Sequence, residues 1–213
     1  MSPADWLPFL TELADRADEL SRRWFRAAGL RVAEKADLSP VTEADQAIEA
    51  MARRLVRENR PELGVLGEEE GEAPGTAETR LIVDPIDGTR NFVRGIPVFA
   101  TLVAIETRGE VVAGVASAPA LGARWHAARG SGAFRDGQRI RVSRIASLEH
   151  ATLFHGNLGP GEAGRDIAAL QVIVEEAGGR ATDLSGERSI RAKSLLTTNG
   201  LLQDSILAIL KPS

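Results

Sequence analysis

A layered α/β or α+β architecture is predicted by three features of the sequence: a helical start, a β-patterned middle, and an ending where helix and strand patterns alternate. In the first part Leu7, Leu10, Leu13, Ala14, Ala17 and Leu20 recur at three- and four-residue intervals, so one stripe can face a core. From Val98 to Phe134 the runs Phe99 to Ile105, Val111 to Ser117 and Arg124 to Ala127 read as strands. Gly109, Gly114, Pro119, Gly122, Gly130 and Gly132 punctuate them. Beyond Val142, Ile167, Leu170, Ile173, Val174 and Ala177 mark an amphipathic helix between strand-like segments.

The individual elements follow in order. Ser2-Pro3 starts the first helix and Gly29 stops it. A second helix begins at Thr42, where Thr42-Glu43-Ala44-Asp45 resembles a capping box, and ends before Pro61. Val65-Leu66 is a short strand entering the acidic run Gly67 to Glu72, and Glu72 to Thr79 is a loop. Leu81-Ile82-Val83 is an apolar strand that stops at Asp84-Pro85. Ala151 to His155, Arg180 to Leu184 and Leu195 to Thr198 read as strands; Gly178-Gly179 ends the amphipathic helix, and Leu201 to Leu210 forms the last one. With no internal repeat and no linker-like stretch, residues 1–213 are expected to form one domain, with approximate lobes 1–145 and 146–213.

Composition narrows the function. Apolar residues make up 43% and charged residues 26% of the 213 positions, an ordinary globular balance. The formal charge of −4, the 4% aromatic content and the absence of Tyr argue against a nucleic-acid or anionic-membrane surface and leave small molecules as partners. Without Cys there can be no disulfide, zinc–thiolate site or Cys nucleophile. The acidic N-terminus lacks a signal-peptide pattern and no apolar run is long enough to span a bilayer, so a cytoplasmic location is expected.

The chemistry concentrates in Asp84-Pro85-Ile86-Asp87-Gly88-Thr89-Arg90-Asn91-Phe92. Two carboxylates three residues apart on a turn can converge, and a divalent cation relieves their repulsion. Oxygen ligands favour Mg²⁺, with Mn²⁺ or Ca²⁺ behind it. Gly88-Thr89 would open a short helix whose free N–H groups suit a phosphate. Glu68, in Gly67-Glu68-Glu69-Glu70, reads alone as part of a solvated acidic loop and becomes a ligand candidate through Asp84 and Asp87. Asp166 heads the amphipathic helix, where Asp also serves as a cap, and capping alone accounts for Asp45.

These segments resemble the signatures of the inositol-monophosphatase-like, lithium-sensitive phosphatases. Glu68-Glu69, Asp84 to Phe92 and Asp166-Ile167-Ala168-Ala169 carry the likeness, with Ala36 to Asp45, Ala128 to Phe134 and Glu175 to Gly186. Thr89 to Glu106, Val115 to Phe134, Thr197 to Leu202 and Ala14 to Phe25 resemble the bacterial histidinol-phosphate phosphatase branch.

The resemblance implies an αβαβα sandwich and hydrolysis of a phosphate monoester: histidinol phosphate in histidine biosynthesis, or alternatively inositol 1-phosphate or another small polyol phosphate. It implies two or more Mg²⁺ ions, Mn²⁺ being the substitute, and a homodimer. Glu68, Asp84 and the Ile86 carbonyl resemble the ligands of one metal, and Asp84, Asp87 and Asp166 those of a second. Thr89, backed by Glu68 or Asp45, matches the group that activates water. Ile86, Gly88, Thr89 and Arg90 match the substrate-binding positions.

Two departures stand out. Arg165 takes the place of a Trp, and between Leu158 and Arg165 the chain lacks a strand–helix–strand block, with only Gly159 to Gly164 in its place. A truncated, non-catalytic metal- and phosphate-binding paralogue is therefore the rival from another class. His126, His150 and His155 fit no catalytic spacing. Arg129, Arg135, Arg139, Arg141 and Arg144 read as a solvated strand face, Arg90 and Arg94 lie nearer the expected phosphate, and Trp6, Trp24 and Trp125 read as packing residues.

Overall fold

Alternating side chains on the central strands give one sheet two apolar faces, and the helices are distributed between them. The computed structural model describes residues 1–36, 38–154, 167–190, 192 and 194–210. A 3₁₀ turn, Pro3–Trp6, leads into α1 (Leu7–Trp24). The short pair β1 (Val32–Glu34) and β2 (Pro40–Thr42) precedes α2 (Glu43–Asn59). There follow β3 (Gly64–Gly67), β4 (Gly71–Ala73), β5 (Thr79–Asp87) and the one-turn helix α3 (Thr89–Val93). A meander continues through β6 (Ala100–Thr107), β7 (Glu110–Ala118), β8 (Ala123–Ala128), β9 (Gly132–Arg135) and β10 (Gln138–Ile140). The last elements are α4 (Ala168–Glu176), β11 (Arg180–Thr182), β12 (Leu196–Thr198) and α5 (Gln203–Leu210).

Eight strands form the main sheet in the order β10-β9-β8-β7-β6-β5-β3-β4. Every neighbouring pair is antiparallel except β3 and β5, which run parallel with Gly67 opposite Val83. Val65, Leu81, Val83, Val103, Ile105 and Val115 point to one face and pack with Leu10, Leu13, Ile48 and Leu55 of α1 and α2. Leu66, Ile82, Leu102, Ala104, Ala116 and Ala127 point to the other, against Ala169, Val172 and Ile173 of α4. This period-two split is what a sheet covered on both sides requires. Each fully buried Leu or Ile contributes about 1.5–3 kcal/mol through burial. The antiparallel β11–β12 pair lies against α4, and Gln203 joins α5 to it through Thr182 and Thr198. The layered α+β architecture expected from the sequence is thus present.

Local expectations are met at α2 to α5, β3, β6 to β8, β11 and β12, and corrected at four other places. α1 ends at Trp24 rather than at Gly29, because Phe25 leaves the helix to pack its ring on Phe92 and Phe99. β5 does not stop at Asp84; it runs on to Asp87 through a bulge that contains Pro85, which has no N–H to give the ladder. The loop expected from Glu72 to Thr79 is strand at its first two residues, within β4. Ala151 to Phe154 form no strand, and Leu153 and Phe154 are exposed. His155, Asp166, Arg165 and the shortening between Leu158 and Arg165 lie outside the described residues.

α4 approaches β7 so closely that a Cβ on Gly114 would lie 2.8 Å from Val172 Cγ1 and 2.9 Å from Ala169 Cα. Because one neighbour is backbone, the substitution Gly114→Ala cannot be absorbed by a rotamer change alone. It is expected to destabilise the fold by about 1–3 kcal/mol, the range for overpacked cores, as a lower urea midpoint with an unchanged m-value.

Candidate active site at the carboxyl ends of β3 and β5

The parallel pairing of β3 with β5 brings two acidic strand exits together. The N–H of Glu68 donates to the carbonyl of Val83, 3.2 Å away, and so continues the ladder one residue beyond β3. Glu68 therefore sits beside Asp84, which is buried, while Asp87 beyond the bulge is exposed. Gly88 follows with φ of 87°, a left-handed conformation that a side chain would resist, and caps α3. The Asn91 and Phe92 N–H groups bond to its carbonyl.

α2 enters from the helix face of the sheet. Thr42 caps it, accepting the N–H groups of Ala44 and Asp45. The Asp45 carboxylate reaches back to the Thr42 N–H (2.8 Å) and hydroxyl (2.6 Å) through one oxygen. Its other oxygen lies 3.4 Å from the hydroxyl of Thr89. That hydroxyl is 2.9 Å from the Ile86 carbonyl, its nearer acceptor. Asp45 thus caps the helix, as its spacing from Thr42 indicates, and also faces Thr89 of α3, where the resemblance places it.

Charge is dense here. Burial pushes the Asp45 carboxyl up to about 6 against the lowering effect of its bonds to Thr42, and the charge of Glu68 adds to the rise. Burial likewise pushes Glu69 up to about 7, again with Glu68 adding to it and Lys35 opposing it. Lys35 bonds both carboxylates, at 2.7 Å to Glu68 and 2.8 Å to Glu69. Burial disfavours its charge, but those two partners outweigh burial and hold it above the usual lysine range.

Glu68, Asp84, the Ile86 carbonyl and Asp87 supply oxygen donors only, as a hard cation requires. Among the described residues, however, no three His, Asp or Glu side chains are gathered into a metal-holding group. The Glu68 carboxylate is turned to Lys35, and Asp166 lies outside the described residues.

Arg90 and Arg94 are exposed on and just after α3. His126 is stacked on Phe134 at 5.2 Å, and burial lowers its pKa, while His150 is exposed in a 3₁₀ turn. Arg135 covers the Trp125 ring and Arg139 that of Phe134, whereas Arg129 is paired with Glu175 instead of solvated.

Sequence reasoning missed Lys35, Glu49 and Arg53. Glu49 and Arg53 had a signal: opposite charges four apart among the core-facing residues of an amphipathic helix. Lys35 had none, because its partners lie more than thirty residues away.

The layers and the site together define an enzyme-like α+β sandwich with an acidic centre at the strand ends. It superimposes on the IMPase of Thermotoga maritima with a TM-score of 0.85, at 33% identity and covering 97% of this chain and 96% of that one. A family profile described as "Inositol monophosphatase family" matches residues 3–159. A protein named histidinol-phosphatase in Mycobacterium tuberculosis is 41% identical across 95% of this chain and 96% of its own. One named inositol-1-monophosphatase in Rhizobium meliloti is 39% identical over 75% of this chain and 61% of its own. The chain belongs to the inositol monophosphatase family. Enzymes of this family are generally metal-dependent. The mycobacterial match extends over 251 residues, more than the 213 present here, so that relative holds residues without a counterpart in this chain.

The raised carboxyls fix a pH dependence for the metal-free protein. A carboxyl whose folded pKa exceeds its unfolded value stabilises the fold below the unfolded pKa and loses that contribution as pH rises through the folded one. For Asp45 and Glu69 the window runs from about pH 4 to about pH 7. Urea midpoints in EDTA should fall across that window, and Glu69→Gln should flatten its upper part; an equal slope in wild type and variant would contradict the assignment to Glu69.

Proposed function

We propose that this chain hydrolyses a phosphate monoester with divalent metal ions, and that its substrate is histidinol phosphate. The observation that carries the reading is the contact series Asp45–Thr89–Ile86 beside Asp84, Asp87 and Glu68. The mycobacterial relative's name supports the substrate, and the rhizobial relative's name supports inositol 1-phosphate as the second choice. Histidine biosynthesis in the cytoplasm is the matching context. No helix among the described residues is long and apolar enough to cross a membrane.

Glu68, Asp84, the Ile86 carbonyl and Asp87 would hold the ions, Mg²⁺ first and Mn²⁺ second, with Asp166 completing the set. Bound there, the cations supply charge neutralisation for the phosphoryl oxygens and acidify water. The rest is done by side chains and backbone of this chain. Thr89 Oγ1 orients the attacking water, accepting its proton as its own hydroxyl proton moves toward Asp45. The Thr42 N–H and hydroxyl hold the Asp45 carboxylate so that its second oxygen faces Thr89. The N–H groups of Gly88 and Thr89 face the phosphate, and Arg90, exposed at the rim, draws the dianion in.

The test is phosphate release from histidinol phosphate and from inositol 1-phosphate, with Mg²⁺ and with EDTA. Release is expected with Mg²⁺ only and faster from histidinol phosphate, and Asp87→Asn should lower it by at least about a hundredfold, as for loss of one transition-state electrostatic partner. Folded protein that binds Mg²⁺ but releases phosphate from neither ester would establish the non-catalytic binding module instead.

A further inference from the structure

Behind the proposed metal ligands a second ionic group is buried between α2 and the acidic loop. Glu49 is fully buried one helical turn after Asp45. One of its oxygens accepts the N–H of Glu69 at 2.8 Å, and the other accepts the N–H of Glu70 at 3.0 Å. Arg53, one turn further on, donates to the same carboxylate at 2.6 and 3.0 Å. Arg53 also donates to the Gly71 carbonyl at 2.7 Å and lies 3.3 Å from the Glu70 carboxylate. A Cβ on Gly67 would fall on the Glu49 carboxylate, so only glycine lets the loop come this close.

We propose that the Glu49–Arg53 pair is the positioning device that fixes the loop 67–71, and with it Glu68, for cation binding. The inference rests on the reading of Glu68 as a metal ligand. Glu68 is held on its strand side by its N–H bond to Val83 and on its loop side by the two N–H bonds to Glu49.

An ion pair by itself is often replaceable by apolar residues of similar volume. Here such residues would leave the Glu69 and Glu70 N–H groups and the Gly71 carbonyl without these partners, so what the pair adds is the fixing of the loop backbone. Charge balance does not explain the pair. A fourth carboxylate is brought against Glu68, Glu69 and Glu70, with Lys35 and Arg53 as the cations paired to these groups. The arrangement is costly for a plain loop and suits one that must present its carboxylate at a fixed place to a divalent ion.

The experiment is calorimetric titration of Mn²⁺ into wild type, Glu49→Gln and Gly67→Ala, with metal-free thermal melts and Mg²⁺ dependence of phosphate release alongside. Gln keeps the shape of Glu49 but offers one acceptor where two N–H groups and Arg53 need a carboxylate. Gly67→Ala pushes on that carboxylate without removing it.

Both variants should bind Mn²⁺ about 10- to 100-fold more weakly, as when a ligand's outer support is lost. The Mg²⁺ concentration for half-maximal rate should rise by the same factor, while KM for the ester at saturating Mg²⁺ stays constant. A wild-type Mn²⁺ titration in either folded variant, even one with a lower melting temperature, overturns the proposal and leaves the pair a structural brace. Should Glu49→Gln fail to fold, Gly67→Ala decides. Wild type that binds Mn²⁺ without hydrolysing either ester overturns the hydrolase reading, and weaker Mn²⁺ binding by the variants then still upholds the positioning role. Wild type that binds no Mn²⁺ overturns both.

Discussion

One parallel strand pair in an otherwise antiparallel sheet decides where the chemistry of this chain can be. Because β3 and β5 run the same way, Glu68 and Asp84 lie at the same end of the sheet and one strand apart. An antiparallel pair would have sent them to opposite edges. The geometry needs a return path, and residues 74–78 supply it by passing the start of β3, where the Thr76 and Ala77 N–H groups bond to the Glu62 carbonyl. The β3–β4 hairpin and that return path form the crossover, without the long helical connection more usual between parallel strands.

Gathering acids at one end has a cost, and the surrounding structure is arranged around it. Thr42 bonds Asp45, Lys35 bridges Glu68 and Glu69, and Arg53 answers Glu49 and Glu70. Even so, burial holds the Asp45 and Glu69 carboxyls above the ordinary range, with the charge of Glu68 adding to it. The five acids Asp45, Glu49, Glu68, Glu69 and Glu70 outnumber the cations Lys35 and Arg53. The other end of β5 differs: Arg80 pairs with Glu72 and Glu106, and Arg108 with Glu78. At that end Glu72, Glu78 and Glu106 each have an arginine partner, whereas acids crowd the site end, which is where a cation would be stabilised.

What could be read from the sequence was mostly what local rules control. The Thr42 cap, the apolar stripe of α4 and the hairpins from β6 to β8 depend on neighbours in the chain, and each is present. The end of α1 was misjudged because an aromatic cluster with Phe92 of α3 and Phe99, just before β6, outweighs the glycine signal. β5 was read too short because a proline inside a bulge looks the same, in sequence, as a proline that ends a strand. At the site, Asp84, Asp87, Gly88 and Thr89 were legible as a compact motif at a strand exit. Local spacing showed Asp45 only as a cap, and the family resemblance alone placed it behind Thr89, because that approach spans forty-four positions. Lys35 was passed over for the same reason, its partners coming from another element, whereas Glu49 was overlooked although Arg53 four residues on gave it a local signal.

Helix α2 has a consequence for how the chain can vary in length. Asp45, Glu49 and Arg53 face, in turn, Thr89 of α3, the backbone of the acidic loop, and the carbonyl that closes that loop. The partners belong to two separate stretches, α3 and the loop 67–71, so the helix works as a gauge with three marks at one-turn spacing. Inserting or deleting a single residue between Asp45 and Arg53 would turn at least one mark by about 100° and move it away from its partner. Residues can be gained or lost in stretches that hold neither the marks nor their partners, such as the turn between β7 and β8, without shifting any of the three.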